Sequence, residues 1–439
     1  MLIQKFGGTS VGSAQRMKEV SKLVNDGKKK IVVLSAMSGT TNTLVEIADY
    51  LYKKNPVSAN EVINTLEHKY MGVIEELYTT DAYKTKAKEA LKVNFDLLRS
   101  LCKNNFFTVF EEKVVLSQGE QMSTAMVNLY MNECGVKSVL LPALDYMRID
   151  KNEEPDTAYI RERLQKELDK LPSDTMIYIT QGYICRNAYN EIDNLKRGGS
   201  DYSASLIGAA IHADEIQIWT DIDGMHNNDP RFVEGTQPVA NLHFEEAAEL
   251  AYFGAKILHP TCILPAKLAN IPVRLLNTMD PTAQGTLISN KITPHKIEAV
   301  AAKDSITAIK IKSGRMLLAY GFLRKVFECF ELYKTSIDMI TTSEVGVSVT
   351  IDNTKHLDEI VNELKKFGTV TVEKDMVIIC VVGDMNSENI GFQAKIVNAL
   401  SEIPVRMISY GGSNYNVSFL VKASDKKRAL EALSKNLFN

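Results

Sequence analysis

Six short apolar runs, LIQKF, KIVVLSAM, SVLLPAL, MIYITQGY, EIQIWTDI and IPVRLLN, punctuate the first two thirds of the chain, with amphipathic segments between them. Runs this short, bounded by polar turns, suit buried strands, and the segments between them supply the crossovers that parallel neighbours require. The pattern predicts an α/β unit built on a mainly parallel sheet. Between Ser58 and Phe110, the apolar residues Val62, Leu66, Val73, Leu77, Leu91 and Leu98 fall roughly in helical register, predicting a helical excursion beside that sheet. After Leu287 the polar, proline-containing stretch SNKITPHKIEAVAAKD reads as a linker over 288–303, closing a domain of residues 1–287.

The remainder is one unit written twice. Strand SITAIKIKS, helix GFLRKVFECFELY, strand pair IDMITTSEVGVSVTID and helix HLDEIVNELKKF are followed by MVIICVVG, GFQAKIVNALSEI, VRMISYGGSNYNVSFLVKA and KKRALEALSKNLF. Both copies open their third element with Met-Ile and continue in apolar-polar alternation, so the repeat does not rest on composition alone. It predicts two small α+β modules, 304–374 and 375–439.

A chain of 439 residues, 45% hydrophobic and 24% charged, has enough apolar material for a packed core in each domain. A formal net charge of -3 argues against a nucleic-acid surface, which needs clustered Lys and Arg, and favours a small-molecule partner. The six cysteines are scattered without a CxxC pair or histidines at metal-ligand spacing, and read as reduced thiols. No apolar stretch is long enough to span a bilayer, and MLIQKFGGTS lacks the pattern of a signal peptide. The expected location is the cytoplasm.

The strongest chemistry begins at Lys5, where a strand ends in Gly7, Gly8, Thr9 and Ser10 and a helix is predicted over Val11 to Val24. The glycines let backbone approach a ligand, Thr9 and Ser10 can cap the helix, and the helix N-terminus favours an anion. The device recurs at Arg197, Gly198, Gly199, Ser200 and Asp201, before the small-residue helix YSASLIGAAIHA. Either turn alone is also the pattern of a plain bend; two, each with a basic residue, suit a polyphosphate held while negative charge moves. GxxxxGK[ST] and GxGxxG, the signatures of competing phosphate folds, are absent. DIDGMHNNDPR is not a calcium loop, because its glycine stands fourth and no glutamate closes it.

With KFGGTS, SQGEQMST, KRGGSDYSAS, WTDIDG, DPR and FGAKILHP in this order, nearly the whole chain resembles the aspartokinases of the amino-acid kinase superfamily. The resemblance implies a three-layer αβα sandwich around a mainly parallel sheet, followed by two ACT ligand-sensing modules. It implies phosphoryl transfer from ATP, with Mg2+, to the side-chain carboxylate of L-aspartate. Lys5, Gly7, Gly8, Thr9, Ser10, Gly198 and Gly199 would hold phosphate, with Asp201 orienting Lys5. Asp201 is equally placed to favour the helix N-terminus, and both roles can coexist. Arg197 would meet a carboxylate of aspartate and Glu120 its ammonium, opposite charges for a zwitterion. Ser35, Thr41, Gly199 and Ser200 would complete the substrate site. Without the resemblance Glu120 reads as a solvated surface residue.

The nucleotide would meet Thr220, Asp221, His226, Arg231, Lys256 and Ile257. Two positions depart from the family pattern: His226 replaces the usual tyrosine, and Lys196 stands where glycine is frequent. In the first repeat, GRMLLAYGFL and SIDMITTSEVGVSV resemble the lysine-sensitive members. L-lysine would then be an effector, its side-chain ammonium on Asp338 and the rest lined by Met316, Gly321, Phe322, Leu323 and Ser336. The plainer reading makes Asp338 a turn cap and Phe322 and Leu323 core. MISYGGSNYNVSF looks like a subunit contact, implying at least a homodimer. Two rival readings are another amino-acid kinase, which should lack the paired modules, and a non-catalytic sensor, which should have lost Lys5 or Asp201.

Overall fold

The computed structural model describes residues 1–104, 106–196, 198–254, 258–313, 320–386 and 388–438. Two compact units form, one from Met1–Gly224 with Leu258–Asn290, the other from Met225–Ile257 with Lys291–Asn439.

All six predicted strands are present in the first unit, as Leu2–Phe6, Lys30–Leu34, Ser138–Leu140, Ile177–Gln181, Glu215–Thr220 and Val273–Asn277. They pair in parallel in the spatial order 138–140, 177–181, 30–34, 2–6, 215–220, 273–277. Thr286–Ser289 then adds an antiparallel strand beside Val273–Asn277. Because side chains alternate across a strand, Phe6, Val32, Leu34, Ile177 and Ile179 share one face. They are buried against helices that include Ala14–Val24, Thr40–Tyr52, Pro56–Leu77, Asp81–Leu101 and Gln118–Glu133. The opposite face presents Ile3 and Ile216 to helix Gly199–Ile211, whose small residues allow a close approach. A Cβ on Gly208 would stand 2.6 Å from Ile216. Three layers result.

The helical excursion resolves into Pro56–Leu77, Asp81–Leu101 and Val109–Leu116. One boundary is corrected. The first helix begins at Ala14, not Val11, because the side chain of Ser13 accepts from Arg16 N and caps it. Thr9 and Ser10 therefore lie in the turn ahead of the helix.

In the second unit the linker expected over 288–303 is not free chain. From Ile297 it forms the first half of strand Ile297–Lys312, which pairs along its length with Thr369–Gly383. Beyond a register shift between Lys303 and Ile306, the strand's second half pairs with Gly346–Ile351. The far half of Thr369–Gly383 pairs with Asn416–Lys422. Two four-stranded modules thus share two long strands, and residues 297–303 complete the second module instead of separating domains. Ile309, Val326, Phe330, Val349 and Ile360 form the first module's core, and Ile379, Ile396, Phe419 and Leu430 the second's.

Residues 225–257, inside the expected 1–287 domain, group by packing with the second unit. Val233 is buried in the second module's core, Asn228 donates to the Leu430 carbonyl at 3.0 Å, and Val300 N donates to the Asn227 carbonyl at 2.8 Å. Those contacts tie the segment to the C-terminal unit. Among the described residues no helix is long and apolar enough to cross a membrane.

Candidate active site

Parallel strands bring their carboxyl ends to one edge of the sheet, where the turns that follow can surround a ligand. Leu2–Phe6 leads into Gly7–Ser10, Lys30–Leu34 into Ser35, Glu215–Thr220 into Asp221, and Val273–Asn277 into Thr278. The turns are tied to one another. Ser35 N donates to the Phe6 carbonyl at 3.2 Å, Ser38 N to that of Gly8 at 3.2 Å, and Thr278 N to that of Thr220 at 2.8 Å. Beneath them, Ser10 Oγ and Thr278 Oγ1 share a buried hydrogen bond of 2.8 Å. Gly8 is needed for this closeness: a Cβ there would stand 3.0 Å from the Ala36 carbonyl oxygen.

Alternation also fixes the direction of Lys5. It shares the face of Ile3, on the side of helix Gly199–Ile211, and its Nζ lies 2.7 Å from Asp201 Oδ1 in that helix's first turn. Both side chains are largely buried, at 11% and 16% exposure. Gly198, the N-cap, has no side chain to satisfy the first backbone N–H groups, which leaves donors suited to an anion. The position admits only glycine, since φ is +66° and a Cβ would stand 2.2 Å from Cys262 Sγ. Gly198→Ala is therefore expected to cost about 1–3 kcal/mol of stability, and a fall in thermal midpoint with reduced activity checks it.

The opposite layer contributes Glu120, on helix Gln118–Glu133 and only 4% exposed. Its Oε1 accepts from Ala36 N at 3.2 Å, while Oε2 is buried without a hydrogen-bond partner among the described residues. Burial pushes this carboxyl up to about 7, against the opposing bond from Ala36 N. An uncompensated buried carboxylate oxygen is costly alone and is relieved by a donated proton or an arriving cation. From Ala36 the connection continues through Ser35 Oγ, which donates to Ser200 Oγ at 2.9 Å, beside Asp201. Glu120, Ser35, Ser200, Asp201 and Lys5 thus lie along one continuous set of contacts. Ser123, absent from the sequence reading, steadies it by donating to the Ser35 carbonyl at 2.8 Å. Thr278 was missed as well; its only signal was its place at a strand's carboxyl end.

The other expected residues fall in both units. Thr41 is exposed at the start of helix Thr40–Tyr52. Thr220 and Asp221 sit at the sheet edge, with Thr220 Oγ1 accepting from Ile222 N at 3.1 Å. His226 and Arg231 belong to the second unit. There His226 Nδ1 lies 2.9 Å from Thr236 Oγ1, and Arg231 clamps Asp229 through Nε at 2.9 Å and Nη2 at 2.7 Å. Lys196 forms a surface ion pair with Glu153. Arg197, Lys256, Ile257 and Met316 lie outside the described residues.

Of the expected effector residues, Phe322 is buried in the first module's core, whereas Gly321, Leu323 and Ser336 are exposed. The Asp338 side chain is 1% exposed and already holds an ammonium, that of Lys303 at 2.7 Å. Burial pushes the Asp338 carboxyl up, and Lys303 opposes that shift.

Comparison with known proteins agrees with this architecture. A model of the amino acid kinase family matches residues 1–277, and an ACT domain model matches residues 379–437. Aspartokinase 3, chloroplastic, of Arabidopsis thaliana is 34% identical across 99% of this chain and 81% of its own length. Lysine-sensitive aspartokinase 3 of Escherichia coli (strain K12) is 33% identical across 100% and 99%. The crystal structure of E. coli aspartokinase III in complex with lysine and aspartate, in its T-state, matches with a TM-score of 0.81 at 32% identity, both chains fully covered. The same enzyme in complex with aspartate and ADP, in its R-state, matches equally, with a TM-score of 0.81. Glycine turns at a parallel sheet's carboxyl edge, a buried Lys5–Asp201 pair and full-length similarity together establish that this chain belongs to the aspartokinases.

Proposed function

We propose that this chain catalyses transfer of the γ-phosphoryl group of ATP to the side-chain carboxylate of L-aspartate, giving 4-phospho-L-aspartate and ADP. The observation that carries the reading is the pairing of a cationic phosphate corner, Lys5 beside an uncapped helix N-terminus, with the buried, half-satisfied carboxylate of Glu120. The first suits a polyphosphate and the second an ammonium, so the acceptor is an amino acid.

A carboxylate is already a nucleophile at neutral pH and needs no general base. Catalysis is then positioning and charge neutralisation. An oxygen of the aspartate side chain forms the new bond to the γ-phosphorus as the bond to the β–γ bridging oxygen breaks, and that oxygen leaves on ADP. Lys5 and the N–H groups around Gly198 and Gly199 neutralise charge on the transferring group, with Asp201 holding Lys5 in place. Gly7, Gly8, Thr9 and Ser10 line the phosphate side. Glu120 receives the substrate's ammonium, Arg197 a carboxylate, and Ser35, Thr41 and Ser200 add hydroxyl contacts. Mg2+ brought with the nucleotide would supply further charge neutralisation at its phosphates. Thr220 and Asp221 serve the nucleotide.

L-Lysine is the effector of this reading, its side-chain ammonium taken by Asp338 in the first module, and the resemblance assigns Met316, Gly321, Phe322, Leu323 and Ser336 to the remainder of the ligand. The enzyme acts in the cytoplasm as a homo-oligomer. Strand Met407–Tyr410 stands at one end of the six-stranded order with Ile408 and Tyr410 each 44% exposed, which supports pairing there. Incubation with MgATP and aspartate should yield a product that hydroxylamine traps as a hydroxamate. Product with glutamate and none with aspartate would reverse the substrate assignment.

A further inference from the structure

The residue assigned to the effector's ammonium is embedded in a charge cluster that no sequence motif announced. Asp338 Oδ1 accepts from Lys303 Nζ at 2.7 Å and from the Tyr252 hydroxyl at 3.1 Å. Lys303 Nζ also lies 2.9 Å from Asp352 Oδ2 and 4.4 Å from the centre of the Tyr252 ring. The lysine sits where the long strand Ile297–Lys312 changes register, next to the shift that begins at Lys303. Tyr252 is the last residue of helix Phe244–Tyr252. All four residues belong to the second unit.

Two features point to a missing cation. Lys303, Asp338 and Asp352 carry one positive and two negative charges, so the cluster is net negative by one. Among the described residues Asp338 Oδ2 has no hydrogen-bond partner, and it is buried on a side chain only 1% exposed. A desolvated carboxylate oxygen without a donor is unfavourable by roughly 1–3 kcal/mol, and an ammonium donating to it removes that cost. Both Oδ1 donors come from the chain itself, so the carboxylate is oriented before any ligand arrives.

Resting on the proposed lysine regulation, we infer that Lys303 and Asp352 are specificity-determining residues of the effector site, and that the effector's side-chain ammonium joins the cluster at Asp338 Oδ2 without displacing Lys303. The arrival of one positive charge brings the cluster to neutrality. A neutral amino acid leaves Oδ2 unsatisfied, so the site selects a cationic side chain. Lys303 is here a positioning residue: it holds Asp338 ionised and turned, and does not compete with the ligand.

The alternative in which Lys303 occupies the ligand's own place predicts the opposite sign for its removal. Lysine inhibition of the full-length enzyme is measured for wild type, Lys303→Met, Lys303→Arg and Asp352→Asn, each relative to its own rate without lysine, alongside equilibrium dialysis of radiolabelled lysine. Lys303→Met and Asp352→Asn should each raise the half-inhibiting lysine concentration and the dialysis Kd at least about tenfold, the equivalent of about 1.4 kcal/mol. Lys303→Arg keeps the charge but not the shape of the ammonium, and should lose less than Lys303→Met. Norleucine, which lacks the side-chain ammonium, should not inhibit. Unchanged or tighter lysine binding in Lys303→Met overturns the inference, as does full inhibition by norleucine. Should Lys303→Met fail to fold, Asp352→Asn, at a side chain 40% exposed, decides alone. If wild type neither binds lysine nor is inhibited by it, the regulatory reading itself fails and this inference falls with it.

Discussion

Replacing Lys5 with methionine is expected to lower kcat by about 10²–10³-fold, the usual consequence of removing one preorganised donor from a site where charge develops. The difficulty is that Lys5 is also the partner of Asp201, at 2.7 Å, so its loss strands a largely buried carboxylate. A second substitution separates the roles. In Lys5→Met/Asp201→Asn the unpaired charge is gone, and the double variant should recover thermal stability relative to Lys5→Met while kcat remains depressed. Recovery of kcat along with stability would reduce Lys5 to a structural cation. Asp201→Asn alone should lose less than Lys5→Met, since it releases the lysine without removing its charge.

Glu120→Gln is expected to raise the KM for aspartate about 10–100-fold, from loss of a charge-assisted hydrogen bond of roughly 1.5–3 kcal/mol. The same residue gives the wild type a characteristic pH dependence. Burial holds the carboxyl at about 7 against the usual 4.5, and in the proposed role only the ionised form would attract the substrate's ammonium. Aspartate KM should therefore fall as pH rises from 6 toward 7 and level off above it, with a slope approaching tenfold per unit on the acid side. In Glu120→Gln this dependence should be lost. Stability moves the other way. A carboxyl whose folded-state value is raised contributes most below 4.5, and that contribution is lost as pH rises through 7. The ionised form of Glu120 thus costs the ligand-free protein about 3 kcal/mol at pH 8, on a shift from 4.5 to about 7. Glu120→Gln should be more stable than wild type at pH 8 and not at pH 4.5, which thermal melts at the two pH values test. A residue that weakens the apo-protein and strengthens substrate binding is the trade expected of a site.

These two residues differ in how they could be read from sequence. Lys5 and Asp201 each lie beside a glycine pair at a strand–helix junction, and strand alternation alone is enough to point Lys5 toward the second helix. Glu120 carries no local signal. Gln118–Glu133 has buried polar residues at Gln118, Glu120, Ser123 and Thr124, so its polar face is an interior one. Only the resemblance, or the packed fold, distinguishes such a face from a solvated one. Thr278 joins the site from a distant strand end, by a hydroxyl contact with Ser10 that no periodicity encodes.

The C-terminal unit shows the same limit differently. Its repeat was plain from the alternation of strands and helices, and the second-module match to the ACT domain fits it. The polar character of 288–303 nevertheless concealed a strand. Lys296, Glu298 and Lys303 contribute to that polarity, yet Glu298 has a fully buried side chain paired with Lys296, and Lys303 is paired with Asp338. Charges neutralised inside a shared sheet look like a linker when counted along the chain.

The central claim is that the side-chain carboxylate of aspartate attacks the γ-phosphorus. Aspartate labelled with ¹⁸O only in its side-chain carboxylate provides the direct measurement. With MgATP and enzyme, one labelled oxygen should become the bridge of the acyl phosphate. Hydroxylamine then attacks the carbonyl carbon and releases phosphate by breaking the carbon–oxygen bond. Mass spectrometry should find inorganic phosphate carrying one ¹⁸O and a hydroxamate retaining the other. Unlabelled phosphate, formed with no hydroxamate, would show that water is the acceptor and would contradict the account.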